Sequence, residues 1–201
     1  MNARTARPPA RHRDVARSCE WLVGAACAVL AACAPLPPVD RVEPPAVEDA
    51  AFNIAGRLSA KRGADAVAAN FEWTHTPLAD AITLATPVGQ TLARLEGDAS
   101  GASITLADGK TAQAPTFDAL TEQALGVPLP VSGLAWWIRG APRPGTPSRI
   151  ERDRAGRAGV VRQDGWEIVY AYADDAAPNA RRLTLAYPDV EVRIVVDAWR
   201  P

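Results

Sequence analysis

The chain has 201 residues, with 22 Lys and Arg against 23 Asp and Glu, and its net charge of −1 lacks the basic surplus that marks nucleic-acid binders. Its length suits one folded domain with additional segments, and charge and cysteine are distributed unevenly enough to show where those segments lie.

Arg4, Arg7, Arg11, Arg13 and Arg17 precede an apolar run from Trp21 to Leu30. A positive flank, a short apolar core and small residues make a secretory signal peptide. The run is about ten residues long, against the 20 or so that a helix needs to cross a bilayer core of about 30 Å, so export and removal are expected rather than a permanent span. It closes on Leu30-Ala31-Ala32-Cys33, which resembles the lipobox of bacterial lipoproteins. That resemblance implies that residues 1–32 are removed and that Cys33 becomes an acylated first residue. In an ordinary secretory signal, the alternative, Cys33 would stay a free thiol. Cys19 and Cys27 fall in the removed part, so the 169 residues left hold only Cys33 and can form no internal disulfide. Without the five arginines, Asp14 and Glu20, the remainder carries 17 basic and 21 acidic residues, net −4.

Ala34-Pro35-Leu36-Pro37-Pro38 and Pro44-Pro45 follow, a composition that leans to extended polyproline geometry. Residues 33–49 are therefore read as a tether and residues 50–201 as the folded domain. Within the domain the apolar period is mostly two, as in half-buried strands. Phe71 and Trp73 alternate with Glu72 and Thr74, Ile82 and Leu84 flank Thr83, and Ile104 and Leu106 flank Thr105. Further on, Trp166, Ile168, Tyr170 and Tyr172 share one face, as do Leu183, Leu185 and Tyr187, and then Val190, Val192, Ile194 and Val196. Asp108-Gly109 and Asp164-Gly165 are hairpin-turn dipeptides, because glycine accepts the positive φ such turns require. Consecutive hairpins predict a curled antiparallel sheet.

Two short helices interrupt it. The first is predicted from a Thr116 cap to Leu125, stopped by Gly126. The second is predicted from near Ser132 to Gly140, with Leu134, Trp137 and Ile138 on one face and Trp136 turned about 100° away. Helices laid across a curled sheet enclose either a filled core or an apolar chamber, and the pattern fits both.

Gly126-Val127-Pro128-Leu129-Pro130, followed by Leu134, Trp137-Ile138, Gly140 and Pro142, resembles the central signature of the LolB family of outer-membrane lipoproteins. Ala55-Gly56-Arg57-Leu58-Ser59, Phe71-Glu72-Trp73 and Thr86-Pro87-Val88-Gly89-Gln90 match in order and spacing; Val88 stands where the family often has leucine, and residues 143–157 are rich in arginine. The resemblance implies an α+β, mainly β fold: an incomplete, unclosed antiparallel β-barrel covered by short helices, with an apolar cavity for lipoprotein acyl chains. It also implies a lipid-anchored, monomeric receptor at the periplasmic face of the outer membrane. Such a receptor accepts lipoproteins from the periplasmic carrier LolA and passes them into outer-membrane lipid, without cofactor, metal or nucleic acid. Candidate cavity residues are Phe71, Trp73, Leu84 and Leu95 on strands, Trp137 and Ile138 on the second helix, and Trp166 and Tyr170 near the C-terminus. Ordinary core packing is the competing reading for each, and for Trp199. The Pro87-Val88-Gly89 turn is the candidate membrane-contact loop, since an apolar residue at a turn tip is unusual.

Arg57 and Arg94 read as solvated strand residues, and His75, the one histidine after residue 32, as structural. Catalysis finds little support: no Gly-x-Ser-x-Gly elbow occurs, and one histidine makes a poor zinc site. A carboxylate pair drawn from Glu72, Asp80 and Glu167 is the enzyme alternative. The other rival is a scaffold or assembly lipoprotein with a solid core.

Overall fold

A computed structural model describes residues 48–125 and 130–200. The signal peptide, Cys33, nearly all of the tether and the motif residues Gly126-Val127-Pro128-Leu129 lie outside the described residues.

Eleven antiparallel strands form one sheet in the order β6-β5-β4-β3-β2-β1-β11-β10-β9-β8-β7. The first six are β1 (Phe52–Arg62), β2 (Asp65–His75), β3 (Ala79–Ala85), β4 (Thr91–Asp98), β5 (Gly101–Leu106) and β6 (Thr111–Ala114). After the helices come β7 (Ser148–Arg152), β8 (Ala158–Gln163), β9 (Trp166–Ala171), β10 (Arg182–Tyr187) and β11 (Val190–Arg200). Each half is a meander built by hairpins, and the long β1–β11 ladder, from Asn53↔Arg200 to Arg62↔Val190, joins the two. Strands β6 and β7 are the free edges, so the sheet stays open.

Period-two burial explains the curl, because one face of each strand is apolar and seeks a common interior. Ile54, Phe71, Trp73, Leu95 and Ile104 are buried from the first half, and Ile168, Leu183, Leu185, Val192 and Ile194 from the second. Two expected face members differ. Tyr187 is 40% exposed at the end of β10, its ring 5.1 Å from Trp166, and Tyr172 lies beyond β9, where its hydroxyl donates to the Ala158 carbonyl. In the Asp164-Gly165 turn both residues take positive φ, 53° and 82°, as a two-residue hairpin requires. Gly56 sits at a register shift in the β1–β11 ladder, where a Cβ would lie 2.0 Å from the Val195 carbonyl oxygen.

Helix α1 spans Phe117–Leu125, and the Thr116 hydroxyl accepts the Ala119 N–H at 3.2 Å, which is the expected cap. Helix α2 spans Val131–Trp137, starting one residue earlier than predicted and ending before the 138–140 turn, where Gly140 (φ 74°) donates to the Trp137 carbonyl. Pro130 occupies the cap position without a side-chain cap. Ser132 instead bonds α2 to α1: its N–H and hydroxyl both donate to Asp118 Oδ1, at 3.3 and 3.1 Å.

Candidate apolar binding site

The curled sheet and the helices enclose a cavity of about 60 Å³. The sheet side of its wall is formed by Ile54 and Leu58 of β1, Phe71 and Trp73 of β2, Ile82 and Leu84 of β3, Leu95 of β4, and Leu185, Val192 and Ile194 of β10 and β11. Thr121, Pro130, Val131, Leu134 and Ile138 form the helical side. No charged group lines it, and the hydroxyl of Thr121, its one polar side chain, donates to the Asp118 carbonyl at 3.1 Å. An apolar wall whose polar atoms are already paired offers dispersion and water exclusion and nothing else. Such a chamber suits hydrocarbon.

Of the eight cavity candidates, Phe71, Trp73, Leu84, Leu95 and Ile138 line this space. Trp137, Trp166 and Tyr170 do not; they are buried in the same hydrophobic cluster without lining the cavity. Trp137 is fully buried, with its ring 6.5 Å from Trp166. Its Nε1 donates to Gln163 Oε1 at 2.8 Å, and Tyr170 Oη donates to its carbonyl at 2.9 Å. Burial pushes the Tyr170 phenol far above its ordinary pKa, so it remains a donor at any working pH. Gln163 also accepts the Arg143 N–H and donates to the Arg143 carbonyl and to Thr146 Oγ1, which leaves no amide valence idle. Trp136 is half-buried against the Arg139 guanidinium, 4.9 Å above its ring, as the helix phase predicts.

Sequence reasoning passed over Ile54, Leu58, Ile82, Val131, Leu134, Leu185, Val192 and Ile194 as cavity wall. Their period-two or helical spacing was visible, but a wall residue and a core residue carry the same pattern.

The 86–90 turn projects Val88, which is 82% exposed. Thr86 N–H donates to the Gln90 carbonyl at 2.8 Å, Gly89 N–H to the Thr86 carbonyl at 2.9 Å, and Gln90 N–H to Thr86 Oγ1 at 3.1 Å, so the tip is internally braced. At the same end of the sheet, Leu58 and Leu84 are only partly buried and Val67, paired with Ala60, is 49% exposed. Apolar side chains are therefore exposed or half-buried toward the Val88 end of the sheet. At the other end, Leu78 in the β2–β3 turn is 83% exposed.

His75 is buried between two carboxylates, with Nδ1 2.8 Å from Asp80 and Nε2 2.9 Å from Asp49. Burial lowers its pKa, but the bonds to Asp80 and Asp49 outweigh this and raise it above the ordinary value. Arg57 is paired with Asp197 across β1 and β11, and Arg94 is exposed. The carboxylates weighed for catalysis do not converge: Glu72 meets Arg200, Glu167 meets Arg162, and Asp80 accepts from Trp73 Nε1 and holds His75.

The described residues form an unclosed antiparallel barrel around a small hydrocarbon-lined cavity, covered by two short helices. Comparison with known proteins narrows this. The family model described as outer membrane lipoprotein LolB matches residues 50–199. Outer-membrane lipoprotein LolB of Chromobacterium violaceum is 39% identical over 160 residues, covering 78% of this chain and 86% of that protein. The Thiobacillus denitrificans protein of the same name is 35% identical over 191 residues, covering 94% and 98%. A solved LolA superfamily protein from Nitrosomonas europaea aligns with 77% of this chain and 87% of its own at 6% identity and a TM-score of 0.48. The chain belongs to the LolB family of outer-membrane lipoproteins. Among the described residues no helix is long and apolar enough to cross a membrane.

Proposed function

We propose that this protein is a lipid-anchored, non-catalytic receptor at the periplasmic face of the outer membrane, accepting lipoproteins from the carrier LolA and inserting them into that membrane. The observation that carries this reading is the wholly apolar wall of the cavity, in a barrel that also carries an exposed apolar turn. Exposing a 16-carbon chain to water costs roughly 12 kcal/mol at about 0.8 kcal/mol per methylene. A lipoprotein therefore needs a chamber at every step between membranes. In this reading Cys33 carries the anchor, Phe71, Trp73, Leu84, Leu95 and Ile138 contact the acyl chain, and Pro87-Val88-Gly89 meets the leaflet. The receptor acts as a monomer and uses no cofactor.

The cavity volume sets a condition. About 60 Å³ holds roughly two waters, whereas pockets that enclose small ligands start near 300 Å³. Cargo must therefore part the helices from the sheet, which the nonpolar character of that contact permits. The small volume also favours the rival reading, a scaffold with a solid core. Displacement of a fluorescent fatty acid from the soluble domain separates them. Saturable binding that Leu95→Glu abolishes supports the receptor; absence of binding overturns it in favour of the scaffold.

A further inference from the structure

The inward-facing rows of the sheet continue past the cavity. Trp73, Ile82 and Leu95 stand opposite one another on β2, β3 and β4 and line its wall. The next inward row toward the β2–β3 turn is His75, Asp80, Gly97 and Ala102, again paired strand to strand. Here the wall changes character, because a carboxylate and two small residues replace large apolar side chains. A concavity of about 350 Å³ occupies this end, lined on its helical side by Phe117 of α1 and Trp136 of α2 and edged by the exposed Leu78. Its volume falls in the range of pockets that take ligands, which starts near 300 Å³.

On the outer face of the same strands lies a second groove, of about 570 Å³, along the paired row Thr74, Ala81, Glu96, Ser103 and Gln113. The two concavities share Ala79, Asp80, Gly97, Asp98 and Gly101, so they meet across the strand ends, where the two glycines put no side chain in the way. Apart from His75, every ionisable residue that lines them is acidic: Asp49, Asp80, Glu96 and Asp98. His75 engages Asp49 and Asp80, and Arg139 holds both Asp49 and the Glu48 carbonyl, which fastens the chain where it enters β1. Glu96 and Asp98 form no ion pair among the described residues. The Ser100 hydroxyl and N–H both donate to Asp98 Oδ1 and hold its carboxyl below the usual carboxylate range. From β2 to β6 the outer groove crosses four strand spacings, about 19 Å at about 4.8 Å each, the length of about six extended residues.

We propose that this trough holds the peptide of a bound lipoprotein, an extended stretch bearing basic side chains directly after its lipidated cysteine, while the acyl chain occupies the cavity. This rests on the receptor reading above. Lipid and peptide of such a cargo are covalently joined, so the peptide must leave over a surface next to the cavity. The row through His75 and Asp80 is the first polar surface on the same inner face. Beyond the strand ends, Thr74, Ser103 and Gln113 offer hydrogen-bonding groups to an extended backbone, and Glu96 and Asp98 offer unpaired carboxylates to lysine or arginine. Complementary charge favours the matching partner and penalises a like-charged one, so the trough sorts cargo by the charge of its first residues.

The test is calorimetric titration of the mature chain carrying Cys33→Ser with four probes: palmitate, a palmitoylated Cys-Ser peptide ending in four lysines, the same lipopeptide ending in four glutamates, and the lysine peptide without lipid. At low salt the lysine lipopeptide should bind at least about tenfold more tightly than the glutamate form. That ratio should fall toward one in the double variant Glu96→Lys, Asp98→Asn, whose asparagine keeps an oxygen for Ser100. It should also fall toward one for the unsubstituted domain near 1 M salt, where the screening length is about 3 Å, an arm that does not depend on the variant folding. The peptide without lipid should bind at least about tenfold more weakly than its lipidated form. A ratio near one at low salt, a ratio that the folded double variant leaves unchanged, or equal binding of the peptide without lipid overturns the trough as the cargo's path. Failure of palmitate itself to bind is a different result: it removes the receptor reading, and the trough falls with it.

Discussion

The barrel has two interiors built on different principles. Around Trp137, Trp166 and Tyr170 the packing is tied by directional bonds: Trp137 to Gln163, Tyr170 to the Trp137 carbonyl, and Gln163 to Arg143 and Thr146. Around Phe71, Trp73, Leu84 and Leu95 the facing helical residues Val131, Leu134 and Ile138 offer only hydrocarbon, and a cavity remains. Directional bonds break sharply on displacement, whereas apolar contacts can be exchanged for contacts with another hydrocarbon. The first interior holds the C-terminal end of α2 in place. The second is the contact that an acyl chain would replace in the proposed receptor.

The largest expected effect lies in the bonded interior. Trp137→Ala should cost about 3 to 5 kcal/mol, the range for buried aromatic truncation, and Trp136→Ala clearly less. Denaturant unfolding measures both, and equal losses would mean that the two indoles share one environment. Next, Gln163→Ala strands the Trp137 indole N–H and the Arg143 N–H. At about 1 to 3 kcal/mol for each unsatisfied group, a loss of about 2 to 6 kcal/mol is expected. A loss below about 1 kcal/mol would show that water replaces the amide and that the contrast between the interiors is weaker than drawn.

A smaller effect comes from the fastened entry point. Because the pKa of His75 is raised in the folded state, its bonds to Asp80 and Asp49 contribute fully below its unfolded value, near 6.5. That contribution fades as pH rises through the higher folded value. Arg139 pairs with the same Asp49 oxygen, so only the imidazolium share is lost. Unfolding free energy should therefore fall from pH 6 to pH 9 in the wild type and less steeply in His75→Gln; parallel slopes would assign the pH dependence elsewhere. Smallest in stability is Val88→Glu, which should leave the melting temperature nearly unchanged and still allow receipt of lipoprotein, while transfer into liposomes drops. Unfolding of this variant would make the turn structural, and normal transfer would remove it from delivery.

Much of this was legible in the sequence. Alternation in Phe71-Glu72-Trp73 and Val190–Val196 determined which side chains turn inward, because a strand leaves its side chains only two directions. Asp164-Gly165 determined a tight hairpin, Thr116 the start of α1, and the spacing of Leu134, Trp137 and Ile138 the buried face of α2. The exposed apolar residue at position 88 followed from its place between Pro87 and Gly89. The ordered motifs also marked the LolB family before any fold was known.

Tertiary structure alone decided the rest. Wall and core residues bury the same apolar surface, so no local pattern separates Phe71 and Trp73, which line the cavity, from Trp137, Trp166 and Tyr170, which do not. That depends on the β1–β11 ladder, which joins strands more than a hundred residues apart and sets how tightly the sheet curls. The role of Gln163 was equally hidden, since its partners at positions 137, 143 and 146 meet it only after β8 has been placed beside α2. Periodicity reports which side of an element faces inward; what stands opposite is settled by long-range pairing, and that is what distinguishes a solid core from a chamber.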